Sequence, residues 1–458
     1  MLIRTQSQRG AVAVLVALFM VVLLGMVGLA LDTGRAYMVM DKLNAATDAA
    51  AYEAAKAISQ GTTQADQTNY AIVAAQNFFN VNFPSSYLGA TATMNPPSIV
   101  FNGGTVTIGV TATAALPLSL AGVLKAAPLA PGVTSQTIRK DLDMMFVMDV
   151  SGSLSASGPA VKSAAVTFLG QFNPTTDRVG LARFAYGSVV DDPIRTGTTR
   201  GFDRPTMISQ INNYSFSGST ASSEGLWQAR DQLNSIPTLN RSSMRVVVFF
   251  SDGAPNSVAS YFPFKTGTTC TTAGTLTTDD GTSANYPGGL YNINALSTLL
   301  TGGCVPPNGK NITDLMTGMP IWYNAHNLAS NLNDPAMQEF KLVTNTPRVV
   351  TADMSTKAIA WQNTNRAARN MAEALANSLR SQGVFVFTLG LGAELTTGTG
   401  PDSEKGQDVL KCMANTTDAP ARCVTPSQPT GLYCYAATTN DLTPCFSKLA
   451  SAILRISK

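Results

Sequence analysis

The chain has 458 residues, 45% of them hydrophobic and only 13% charged, with a formal net charge of +3. That length allows two or three domains, under a surface of Thr, Ser and Asn rather than of charge. The small charge and the lack of a long basic run argue against nucleic acid as a partner. Six cysteines, all in the second half and without a Cys-x-x-Cys, together with a single histidine (His326), point away from zinc and toward disulfides in an oxidising compartment.

Residues 1–10 carry Arg4 and Arg9 and no acid, and 11–31 is an uncharged run of 21 residues. Such a run crosses about 30 Å of hydrocarbon, and the basic residues before it favour a cytoplasmic N-terminus with the rest of the chain outside. Arg35 and Lys42 weaken that bias, but Asp32 and Asp41 accompany them. The competing reading is a cleaved signal peptide, since Gly28-Leu29-Ala30 is a small-x-small site. Its apolar region would exceed the usual length of about 7–15 residues, so retention as an anchor is the expectation.

From 33 to about 83 the pattern is helical. Leu43, Ala46, Ala50, Ala54 and Ala57 recur at spacings of three and four and form a stripe of small side chains, expected to pack on the next helix, 65–79. Arg9-Gly10-Ala11-Val12-Ala13-Val14, the apolar span, Leu31-Asp32-Thr33-Gly34-Arg35 and Leu43-Asn44-Ala45-Ala46-Thr47-Asp48-Ala49-Ala50-Ala51 together resemble the N-terminal region of Tad-type (Flp) pilus-assembly proteins. Processed pilin-like relatives carry a Glu five residues after the cleavage Gly. Here, counting from Gly10, that place holds Leu15, so the resemblance implies permanent anchoring.

Residues 88–139 hold short alternating segments, 91–94, 98–101 and 105–113, with Asn102-Gly103-Gly104 as a hairpin signal. Residues 116–125 read as a short helix and 133–139 as an extended return. This is expected to be a small β-rich module without a chemical motif.

Strand and helix then alternate, which argues a parallel sheet with helices on both faces. Strands are expected at 142–148, 178–186, 244–251, 384–390 and 432–437, and helices at 158–172, 204–212, 223–235, 356–381 and 439–456. The apolar run 144–148 is a strand buried on both faces, yet it ends in Asp149-Val150-Ser151-Gly152-Ser153. In extended backbone, i, i+2 and i+4 point the same way, so these three side chains can aim oxygens at one point. Hard oxygen donors without His or Cys suit Mg²⁺ or Mn²⁺. The polar loop 216–220 opens the next helix, and the buried run 245–250 ends in Ser251-Asp252-Gly253. Asp149, Ser151, Ser153, Thr220 and Asp252 together resemble the metal-ion-dependent adhesion site of von Willebrand factor A-like domains, over about 140–456. The combination with the N-terminal region resembles TadG-like proteins. The resemblance implies an α/β, doubly wound, mainly parallel sheet. It implies Mg²⁺ (or Mn²⁺/Ca²⁺) held directly by Ser151, Ser153 and Thr220, with Asp149 and Asp252 acting mainly through waters.

Residues 254–354, rich in Thr, Gly, Asn and Pro, are far longer than an ordinary connection. They leave from the Asp252 loop, so a lid over the metal edge and a disordered insertion are both open readings. Cys270 and Cys304 are expected to close this segment on itself. Local pairing of Cys412 with Cys423 and of Cys434 with Cys445 is the first reading of the rest, although four cysteines permit three connectivities.

No Gly-x-Ser-x-Gly surrounds Ser151 or Ser153, no P-loop occurs, and position 151 is Ser where an aspartate-based phosphatase needs the second Asp of Asp-x-Asp after Asp149, so catalysis is not expected. The expected organisation is a cytoplasmic 1–10, a membrane span at 11–31, a helical stalk at 32–87, a β-rich module at 88–139 and a metal-site domain at 140–458. The function implied is that of a single-pass bacterial inner-membrane component of a Tad/Flp pilus system. Its periplasmic or surface-directed domain would bind a protein partner, from the pilus or secretion apparatus, that offers a carboxylate. The alternative is a secreted or surface-exposed adhesin acting on another cell.

Overall fold

The computed structural model describes residues 9–58, 64–102, 105–119, 127–242, 244–278, 289–326 and 338–456. The chain divides into two compact units, Met1–Arg139 and Lys140–Ser457.

The first unit opens with one continuous helix, α1 (Arg9–Ala57), followed by α2 (Gln64–Asn82). From Val12 to Leu31 the large apolar side chains of α1 are exposed, whereas Leu43, Ala46, Ala50 and Ala54 are fully buried. Small side chains on that stripe let other elements approach closely. These are α2, through Ala71, Ala75 and Phe79, and a four-stranded antiparallel sheet. Its strands are β1 (Thr91–Met94), β2 (Ser98–Asn102), β3 (Thr105–Ala115) and β4 (Gly132–Lys140). Val106, Ile108, Val110, Ala112 and Ala114 of β3 are buried at period two, so one sheet face joins the helices in a shared core. Helices and sheet, read separately from the sequence, are therefore one packing unit. The hairpin signal at Gly103-Gly104 and positions 120–125 of the expected short helix lie outside the described residues. Leu116 is not helical; its backbone pairs with Leu129.

The second unit is doubly wound. Its strands are β5 (Leu142–Asp149), β6 (Arg178–Phe184), β7 (Ser188–Asp192), β8 (Met244–Ser251) and β11 (Phe385–Leu391), with β14 (Tyr433–Ala436) at one edge. The sheet order is β14-β11-β8-β5-β6-β7, with β7 antiparallel and every other pair parallel. One face carries α3 (Gly158–Leu169), α4 (Arg204–Asn212) and α8 (Leu442–Ile456); the other carries α5 (Ser222–Ser235), α6 (Lys357–Ser381) and α7 (Gly406–Ala414). Both faces of β5 are covered: Met144, Phe146 and Met148 face α3 and α8, while Met145 and Val147 face α5. Gly225 sits where α5 lies on the sheet. A Cβ there would come within 2.7 Å of the Phe184 ring and 2.8 Å of Val147.

The sequence reading lacked β7 and α7. β7 is a polar edge strand, Ser-Val-Val-Asp-Asp, and α7 is a short amphipathic helix behind a two-residue ladder, β12 (Gly398–Thr399) with β13 (Glu404–Lys405). The larger difference concerns 254–354. This segment is described in the structure except for 279–288 and 327–337. It forms β9 (Ser257–Ser260) paired with β10 (Gly274–Thr277), and sends Val258, Leu276, Leu290, Ile312, Met319 and Leu342 into the same core as α5 and α6. Near its end the Arg348 guanidinium bonds Glu373 at 2.7 Å and Glu404 at 2.6 Å. Cys270–Cys304, Cys412–Cys423 and Cys434–Cys445 are disulfide-bonded.

On β7, burial and then the Asp203 and Asp191 carboxylates push the Asp192 carboxyl up to about 6, against Arg195. The folded protein thus keeps a proton that the unfolded chain loses near 3.8, and stability falls as pH rises between those values. Asp192→Asn should raise the melting temperature above pH 6, and the gain should vanish by about pH 4. Thermal denaturation across that range checks the sign.

Candidate functional site

The three polar loops foreseen from the sequence meet at the carboxyl edge of β5, β6 and β8. Asp149 ends β5 with no exposed surface. A buried carboxylate must be satisfied locally. Its Oδ1 accepts from the Ser151 amide at 2.8 Å, and its Oδ2 from the Ser251 hydroxyl at 2.6 Å. The first loop is thereby turned back on its strand and tied to the third. Ser151 Oγ lies 3.2 Å from Ser153 Oγ, and Ser153 Oγ donates to Asp252 Oδ1 at 2.9 Å. Asp149, Ser151, Ser153 and Asp252 thus form one continuous cluster, with Ser153 at its solvent side and Asp252 8% exposed.

Thr220 is brought alongside by backbone. The Gly152 amide donates to the Gly218 carbonyl at 3.0 Å and the Ser217 amide to Val150 O at 2.8 Å, which zips the first two loops together. Gly218 has φ +100, and an added Cβ would meet the Tyr186 ring at 2.9 Å, so only glycine fits this turn. The Gly253 Cα is also close: a Cβ there would lie 3.7 Å from Thr220 Oγ1.

Two groups of residues were missed. Ser251 holds Asp149; the signal was a hydroxyl just before Asp252, directly after the apolar stretch 246–250. Asn256, at the start of the long segment, accepts from the Thr220 amide at 3.0 Å and from Ser219 Oγ at 2.6 Å. Ser257 and Thr277 complete this polar network behind Thr220. Residues 254–278 therefore brace the second loop from behind.

His326 is engaged with α5. Its Nε2 lies 2.7 Å from Glu224 Oε2, and its ring stacks on Trp227 at 3.5 Å between centroids. Glu224, fully buried on the first turn of α5, also accepts from Tyr323 OH at 2.8 Å. Burial and then this carboxylate push the Tyr323 phenol well above its usual value, so it stays a donor. The single histidine ties the long segment to the helix that follows Thr220.

Chemically the cluster offers two carboxylates and three hydroxyls, a hard, all-oxygen set. Among the described residues no group of three or more His, Cys, Asp and Glu side chains gathers to hold a metal. The donors Asp149, Ser151, Ser153, Thr220 and Asp252 are all oxygens, and that chemistry fits a hard cation rather than a thiolate- or imidazole-bound one.

Residues 144–254 match the von Willebrand factor type A domain family, a span that contains all three loops. Residues 10–57 match the family described as "Putative Flp pilus-assembly TadE/G-like". No curated protein sequence matches the chain. Among solved structures, the chain is similar to the vWF domain of the type V pili tip protein Mfa5 from Porphyromonas gingivalis, at 13% identity and TM-score 0.39, over 70% of this chain and 98% of that one. It is similar to a point mutant of the PilB minor pilin from Streptococcus sanguinis, at 13% identity and TM-score 0.37, over 80% and 79%. It is also similar to proximal thread matrix protein 1 from the mussel byssus with a zinc occupied MIDAS motif, at 13% identity and TM-score 0.32, over 69% of this chain and 46% of that one, less than half its length.

Asn256→Ala should leave the Thr220 amide without its acceptor and cost about 1–3 kcal/mol. The melting temperature should drop by a few degrees, and hydrogen exchange should show lost protection at Thr220 with the central strands unchanged.

Proposed function

We propose that this chain, a von Willebrand factor type A domain behind a Tad-like N-terminal segment, is a membrane-anchored, non-catalytic binding component of a Tad/Flp-type pilus assembly system. The observation that carries the reading is the oxygen cluster of Asp149, Ser151, Ser153 and Asp252, with Thr220 braced beside it, at the carboxyl edge of a parallel sheet. Ligands of doubly wound sheets sit beyond that edge.

In this reading Ser151, Ser153 and Thr220 would hold Mg²⁺, or Mn²⁺ or Ca²⁺, directly, with Asp149 and Asp252 acting through waters. When bound, the cation supplies an open position for a carboxylate of a protein partner. The chain's own part is to keep the hydroxyls and carboxylates converged. Asp149 fixes the first loop, Ser251 joins it to the third, and Asn256 holds the second. His326 is engaged with Glu224 and stacked on Trp227, and its partners in the structure are structural ones, which supports binding over catalysis. Partners would be pilus or secretion-apparatus components. The 21 uncharged residues at 11–31 would cross the inner membrane once, with the N-terminus cytoplasmic and the second unit periplasmic or surface-directed.

Because the five residues come from three loops that meet only when the parallel sheet forms, metal binding should stabilise the fold. At free Mg²⁺ of about 100 times the dissociation constant the gain is about 2.7 kcal/mol, a rise of a few degrees in melting temperature. Asp252→Ala should abolish the rise, and Asp149→Ala should abolish metal-dependent capture of partners from solubilised membranes. If a chelator changes neither melting temperature nor capture by the wild type, the proposal fails.

A further inference from the structure

The motif Leu31-Asp32-Thr33-Gly34-Arg35 has no part in the site above, yet within the first unit it makes a defined set of bonds. Asp32 is the first charged residue after the uncharged run and is fully buried. Its Oδ1 accepts from the Ser119 amide at 3.0 Å, from Ser119 Oγ at 2.5 Å and from Arg35 Nη1 at 3.1 Å. Arg35 reaches further, donating to Leu88 O at 2.7 Å and to Pro117 O at 3.5 Å. One turn of α1 thus clasps two loops, the turn before β1 and the connection that leaves β3.

Beside the exposed serines Ser85, Ser86 and Ser119, these loops present a group of apolar side chains outward. Leu88 is 37% exposed and Leu129, paired through its backbone with Leu116, is 36% exposed. Pro117 and Pro128 are exposed and Leu118 is half-buried. No Asp or Glu occurs from 116 to 131. Along α1 this patch begins where the lipid-type surface ends. The large apolar side chains from Val12 to Leu31 are 50–64% exposed, and their rise matches about 30 Å of hydrocarbon. Tyr37, 67% exposed, lies about 9 Å above Leu31, at the height where interfacial tyrosines gather.

We infer that the face carrying Leu88, Pro117, Leu118, Pro128 and Leu129 rests on the bilayer surface, at the boundary of headgroups and acyl chains. The Asp32–Arg35–Ser119 clasp holds it at that height and supplies partners for a carboxylate that would otherwise meet the membrane edge unpaired. The unit is then seated by its sheet as well as threaded by its helix. This rests on the anchoring part of the proposed function.

The test uses the full chain in nanodiscs of phosphatidylethanolamine and phosphatidylglycerol. The native cysteines are paired, so one added cysteine takes an environment-sensitive fluorophore. Leu118→Cys and Leu129→Cys are the probes. Leu23→Cys reports the anchor, and Val100→Cys, 54% exposed and paired with Thr107 far down β3 from Ala115, is the lipid-free control. Labels at 118 and 129 should lose most of their fluorescence to lipids with a shallow acyl-chain quencher, while the label at 100 keeps its signal. Asp32→Asn should reduce the loss at 129. If a deep quencher leaves position 23 bright, the anchor itself fails, and this inference with it. If position 23 is quenched while 118 and 129 behave like 100, or are shielded from lipid and water quenchers alike, the anchor stands and the seating is overturned.

Discussion

The Asp149 carboxylate has no exposed surface and closes the central strand of the larger sheet. A carboxyl group buried there must be met by hydrogen-bonding partners. The donors are the Ser151 amide and the Ser251 hydroxyl, one from each of two loops. Once both are committed, the rest follows. Val150 pairs with Phe184 on one side and Ser217 on the other, and Gly152 pairs with Gly218. Hydrogen bonds therefore join all three loops. Hydroxyls on independent loops would lose conformational entropy each time they gathered around a ligand; here that ordering has taken place in folding.

The long segment after Asp252 extends the same logic outward. Its first residues brace Thr220 through Asn256, and its later ones bury His326 and Tyr323 against Glu224 on α5. Both attachments grip the second loop, one before the helix and one on its first turn. Between them, Val258, Leu276, Leu290 and Met319 fill the layer beneath α5 and α6. The segment is part of the core, and it steadies the rim of the site from the side.

The first unit solves a different problem. A helix whose exposed half is apolar has to meet a folded, water-facing module without a gap. The small side chains of its second half permit close packing, the alternating residues of β3 supply the opposing face, and Asp32 and Arg35 fasten the loops nearest the apolar half.

Much of this was legible in the amino-acid order. Unbroken apolar runs that stop at Asp149 and at Ser251-Asp252 read as buried strands with polar loops at their ends, because a strand covered on both faces shows no polar alternation. The alternation of strands and helices implied the doubly wound arrangement. The uncharged run and the alanine stripe announced a helix that changes surroundings halfway along. Tertiary structure alone decided the rest. Segment 254–354 joins the core through apolar residues too sparse to show a period, so pattern could not reveal it. β7 and α7 are short and half polar, and their burial depends on neighbours. The partners of Glu224 lie 99 and 102 residues away, and Ser251 lies 102 residues from Asp149. No local rule encodes a hydrogen bond across such a distance; it exists because the sheet, once formed, leaves those polar groups buried beside one another with no water to take their place.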